Sequence, residues 1–99
     1  MININTIKPG QKLYIKSYED CLKQGYLVEV APNKPFDQFY KVKNNPGFNL
    51  DMRQYLGQIV TYLNIAGNYD LITCEETYGW VWPLEVLELL PANKKLKII

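Results

Sequence analysis

Apolar and polar positions alternate cleanly at only a few places along this chain, and those places predict its elements. Lys12-Leu13-Tyr14-Ile15-Lys16 follows the turn signal Lys8-Pro9-Gly10 and sets Leu13 and Ile15 on one face, which predicts a first strand. Ser17 stands three residues before Asp20, a relative of the capping box, and Gly25 stands where a helix would stop. Residues 18–24 therefore read as two turns of helix. Beyond them the alternation fails. Residues 26–30 and 39–43 have strand composition, but Pro32, Pro35 and Pro46-Gly47 interrupt them, so the stretch from Gly25 to Gly57 reads as a long, structured excursion. Near its end Asn49 can cap a short helical turn over residues 50–55, with Asp51 close to the positive end and Gly57 as the stop.

The second half is more regular. Residues 58–65 form the strongest strand pattern in the chain, because Ile59, Val60, Thr61, Tyr62, Leu63 and Ile65 are all β-branched, aromatic or apolar, and both faces are expected to be covered. Ala66-Gly67-Asn68 links it to a second strand over 69–74, and residues 75–79 turn the chain into Trp80-Val81-Trp82. Pro83 fixes φ and offers no N–H, so this third strand should break there into a short 3₁₀ turn before residues 87–90 resume as a strand. Residues 93–99 are a lysine-bearing tail or a last edge strand. The whole predicts a mainly β fold of about five to seven short strands with one or two short helical turns.

Composition narrows this further. A chain of 99 residues has room for one hydrophobic core, so residues 1–99 are expected to form a single domain. With 47% hydrophobic and 21% charged residues, the chain has the balance of a folded protein and not of a disordered tail. The opening Met1-Ile2-Asn3-Ile4-Asn5 has neither the basic segment nor the apolar run of a signal peptide or membrane span, which points to the cytoplasm and away from a membrane. Cys21 and Cys74 lie in unrelated segments without CxxC spacing; two buried thiols or a single disulfide would account for them. A net charge of +1 provides no strong field for nucleic acid, and a single arginine, Arg53, disfavours reading of base edges.

Three stretches together resemble a known group. They are the opening Lys8 to Ser17 (Lys-Pro-Gly-x-Lys-x-x-Ile-Lys-Ser), the middle Met52 to Thr61 (Met-x-x-Tyr-x-Gly-x-x-Val-Thr), and the tryptophan ending Trp80-Val81-Trp82-Pro83. The pattern is similar to small SH3-like barrel proteins of bacterial, phage or mobile-element origin, some related to the mind bomb type of repeat. The resemblance implies that the second half, from Gly57 to Leu90, closes a small barrel with Trp82 in its core. Trp82-Pro83-Leu84-Glu85-Val86-Leu87-Glu88 is also similar to the run that ends signalling SH3 domains. There Val86 takes the place of a tyrosine that walls a proline-binding slot, so the resemblance implies the fold without ordinary polyproline recognition. None of the three stretches is a chemical motif.

The chain has no histidine and one serine, Ser17, so histidine-dependent triads and histidine-ligated zinc are impossible, and two cysteines cannot complete a four-ligand zinc site. No cofactor or metal is expected. Asp70, Glu75 and Glu76 are close enough in sequence for paired-carboxylate chemistry, but adjacent acids in a turn are ordinarily solvated, and the chain reads as non-enzymatic. Aromatic residues are the remaining candidates. Phe36, Tyr40, Tyr78 and Trp80 would form an interaction surface for another protein if Trp80 turns outward, or a second small cluster over the barrel end if it does not. The alternative function is single-stranded nucleic-acid binding, with aromatic platforms beside Lys41, Lys43, Lys94, Lys95 and Lys97; the same lysines would equally serve as a solvated, charged edge.

Overall fold

Five antiparallel strands, β1 (Lys12–Ile15), β2 (Ile59–Ala66), β3 (Asn68–Cys74), β4 (Val81–Pro83) and β5 (Leu87–Leu89), form one sheet in the order β4-β3-β2-β1-β5. The computed structural model describes residues 2–28, 39–77 and 79–90. The fold is mainly β, as the pattern predicts. Alternation in β1 buries Leu13 and Ile15 completely and leaves Tyr14 half-buried. Leu13 lies opposite Val60 of β2 on one side and Leu89 of β5 on the other, so this short strand bridges β2 and β5.

The helical turns follow their caps. Ser17 Oγ accepts from Asp20 N at 3.1 Å and starts α1 (Tyr18–Lys23), with Glu19 and Asp20 in the first turn and Lys23 in the last. Asn49 Oδ1 accepts from Met52 N at 3.2 Å and starts a 3₁₀ helix over Leu50–Tyr55. Gly57 follows at φ +80°, a conformation that a side chain would strain, and its N–H donates to Ile15 O at 2.9 Å, bringing the chain back to β1. A further 3₁₀ turn, Leu84–Val86, follows Pro83 as expected, although Pro83 itself still belongs to β4.

Several expectations are corrected. Residues 26–28 and 39–43 are not strands; their apolar side chains, Leu27 and Phe39, are buried by an irregular backbone wrapped onto the core, and residues 29 and 30 of the first segment lie outside the described residues. Only the first half of β2 is covered on both faces. Val60, Thr61 and Tyr62 are buried, whereas beyond a register shift between Tyr62 and Asn64 the strand leaves the core and exposes Leu63 and Ile65. Most importantly, the sheet does not close. Among the described residues no ladder joins β4 to β5; the two edges are separated by the Leu84–Val86 turn, which offers buried side chains, Leu84 and Val86, in place of strand pairing. Residues 91–99, including the proposed edge strand or tail, lie outside the described residues.

The core centres on Trp82, which is fully buried, with its Nε1 donating to the buried Thr77 Oγ1 at 2.9 Å. It takes side chains from Ile2 through Leu87, including Phe39 and Phe48 of the excursion. Cys21 and Cys74 are free, buried thiols, and burial pushes each up to about 12, so neither is a reactive thiolate at neutral pH. No helix among the described residues is long and apolar enough to cross a membrane.

Candidate interaction groove

Trp80 lies just outside the ladder, since β4 begins at Val81. Its N–H donates to Thr77 O at 2.9 Å, and this tight turn removes it from the face Trp82 occupies, leaving it half-buried against the edge of the core. Opposite it the Pro46-Gly47 turn feeds Phe48 into the core, and the Asn49 cap sets Met52 beside it. The space between these two turns is an open groove of about 350 Å³. Residues 46–49 form one wall, buried Phe48 and Met52 contribute apolar surface, and residues 79–81 form the other wall. Among the described residues no charged side chain lines it, so what it offers is apolar surface beside backbone amides and the Asn49 side chain.

Of the predicted surface, Trp80 and Tyr40 fall among the described residues. Trp80 lines the groove; Tyr40 is half-buried, bonded through its N–H to Tyr26 O at 2.8 Å, and is not among the groove residues. Phe36 and Tyr78 lie outside the described residues. Phe48 and Met52 are additions that the aromatic count did not single out, though a Pro-Gly turn and an asparagine cap flanking them marked where the chain bends inward.

The lysines divide in the same way. Lys41 lies along Gly25, where a Cβ would come within 2.9 Å of its Nζ. Lys43 Nζ is 3.5 Å from Asp70 Oδ2, which offsets its charge. Lys94, Lys95 and Lys97 are outside the described residues. Of the acidic candidates, Asp70 also accepts from Asn44 Nδ2 at 2.9 Å, and Glu75 is exposed.

Glu76 has a structural engagement. Its Oε1 accepts from Thr61 N at 2.6 Å and its Oε2 from Thr61 Oγ1 at 2.7 Å, while Lys12 Nζ donates to the same hydroxyl at 2.6 Å. Burial pushes the carboxyl up, but the Thr61 hydroxyl and amide, its own backbone N–H and Lys12 outweigh this and hold it below the ordinary glutamate value. A carboxyl lowered in the folded state adds stability above its unfolded value, about 4.3 for glutamate, and loses it as pH falls through the folded value. Glu76→Gln should thus lower stability at neutral pH by about 1 kcal/mol, modest because the side chain is partly exposed. The gap between the two proteins should narrow below pH ~4.3, where the ionic contribution is lost. Thermal melts across pH would show it; a gap independent of pH would refute the assignment.

Comparison of the chain with protein-family models, with curated proteins and with solved structures finds no match.

Proposed function

We propose that this protein is a non-enzymatic interaction module, built on the plan of an SH3-like barrel, that holds an uncharged, extended segment of another protein in the Trp80 groove. Support for the plan comes from the strand order β4-β3-β2-β1-β5, with a long excursion between β1 and β2 and a 3₁₀ turn before β5. A long first excursion, a meander of short strands, a 3₁₀ turn and a final strand are what a resemblance to SH3-like barrels implies. Cytoplasmic location and a phage or mobile-element origin belong to the same reading and rest on the sequence resemblance.

The observation that carries the proposal is the groove itself. A half-buried tryptophan facing Phe48 and Met52 across about 350 Å³ gives room for one or two apolar side chains, at the small end of the ~300–1,000 Å³ of ligand sites. Its uncharged lining favours an apolar anchor over a phosphate or a basic tail. Selection from a displayed peptide library, with binding followed by Trp80 fluorescence, tests this. Trp80→Ser should weaken selected peptides by about 30-fold or more, as loss of a tryptophan hot spot does, while the sheet stays folded. Enrichment of the same peptides by wild type and Trp80→Ser would sink the proposal. A salt-sensitive response to single-stranded oligonucleotides instead would favour nucleic-acid binding.

A further inference from the structure

Residues 39–49 take no part in the sheet, yet they are fastened to it in an unusual way. Their ends are seated by two aromatic rings, Phe39 and Phe48, both buried and 4.9 Å apart edge to face. Asn45 ties the stretch to itself: its Oδ1 accepts from Phe39 N at 3.2 Å and Gly47 N at 2.9 Å, and its Nδ2 donates to Phe39 O. Between these points Val42 is partly buried against the core, and the rest of the grip on β3 and the Leu84–Val86 turn is polar. Lys43 N donates to Glu85 Oε2 at 2.7 Å, and Asp70 Oδ2 receives Asn44 Nδ2 and faces Lys43 Nζ.

Glu85 is incompletely satisfied. Its Oε2 holds the Lys43 amide, but its Oε1 is buried and has no hydrogen-bond partner among the described residues. A buried carboxylate oxygen without a donor carries a desolvation penalty that is relieved once water reaches it. The contact is therefore a weak fastening, and Lys41, held at φ +56°, adds local strain on the same stretch. The far end of this unit, residues 46–49, is one wall of the groove.

We propose that residues 41–47 are a strap whose catch is the Glu85 and Asp70 carboxylates, and that release of this catch widens the Trp80 groove while the sheet stays folded. The gating half of this inference rests on the reading of the groove as a binding surface; the strap itself does not. Opening is a local event in which the Asn45 bonds to Phe39 N and Gly47 N break together with the Lys43–Glu85 contact.

Amide hydrogen exchange of the free protein tests the strap, so the outcome does not depend on any peptide. Glu85→Met keeps an apolar stem at residue 85 and removes the acceptor, leaving the Lys43 amide satisfied only by water. Exchange at Phe39, Lys43 and Gly47 should rise together by at least about tenfold. The amides of Gly10 and Tyr62, which bond to Tyr62 O and Gln11 O across the sheet, should be unchanged. Glu85→Gln, which retains an acceptor for Lys43, should stay near wild type. Asn44→Ala, which loosens the Asp70 half of the catch from the strap side, should act in the same direction as Glu85→Met. Acceleration at Lys43 alone, or equal acceleration at Gly10 and Tyr62, would overturn the strap. Acrylamide quenching reads the groove, because Trp82 is fully buried and Trp80 is not. Quenching in Glu85→Met should increase; strap amides that accelerate with no change in quenching would overturn the gating.

Discussion

Replacing Trp82 with alanine should leave the domain barely folded. Truncating a fully buried tryptophan costs about 3–5 kcal/mol, and the Thr77 hydroxyl that receives Nε1 loses its donor, adding about 1 kcal/mol. Against a total of about 5–15 kcal/mol for a domain, that is a large fraction. In urea unfolding the midpoint should collapse, and in a thermal melt the drop should exceed about 12 °C, since 1 kcal/mol shifts a domain of this size by roughly 4–8 °C. Trp82→Phe separates the two contributions, because it keeps a ring in the core but removes the N–H; an intermediate loss of about 1–3 kcal/mol is expected. A Trp82→Ala protein that melts within a degree or two of wild type would show that this side chain does not organise the core.

How far the sequence reaches depends on whether a signal is local. β1, α1 and the 3₁₀ turn after Asn49 were legible because each is specified by neighbours a few residues away. The Leu13/Ile15 alternation, the Ser17 bond to Asp20 N and the Asn49 bond to Met52 N are all of this kind. Trp82 was legible because alternation and the tryptophan ending agreed on it. Residues 39–43 misled because apolar composition reports burial, not extended pairing. Phe39 is buried by packing on Phe48 and Trp82, while its backbone bonds to the Asn45 side chain in place of a neighbouring strand. The groove was half-legible. Trp80 could be named as a contact residue, but its meeting with Phe48 and Met52 joins turns about thirty residues apart, and no periodicity encodes that. Least legible were Asp70 and Glu85, whose positions in sequence suggest solvated acids and whose role, accepting from Lys43 and Asn44, depends wholly on the tertiary path of the excursion. The expected closure failed for a related reason: strand identity was readable, but whether β4 and β5 pair is a tertiary matter, and among the described residues no ladder joins them.

Phe39→Ala should be nearly as damaging as the loss of a sheet residue, although Phe39 sits in an irregular segment. Surface connections ordinarily tolerate change because they bury little. Phe39 is 1% exposed, packs edge-on against Phe48 at 4.9 Å and lies 6.2 Å from the Trp82 ring. Removing a buried phenylalanine costs about 3–5 kcal/mol, and about 0.5–1.5 kcal/mol of that belongs to the aromatic pair itself. A double-mutant cycle with Phe39→Leu and Phe48→Leu should therefore return a coupling of about 0.5–1.5 kcal/mol, with both singles still folded. The same measurement bears on the strap. If the two rings are strongly coupled, the excursion is clamped at its ends and its middle can lift as a unit; if they are independent, the clamp is absent and residues 39–49 would fray from one end. Phe39→Ala with a stability loss below about 1 kcal/mol, a surface-like value, would mean that the excursion is an appendage and that the sheet holds its core without it. The expected result places the excursion inside the cooperative fold, so that the groove wall stands on the same two rings that help to cover Trp82.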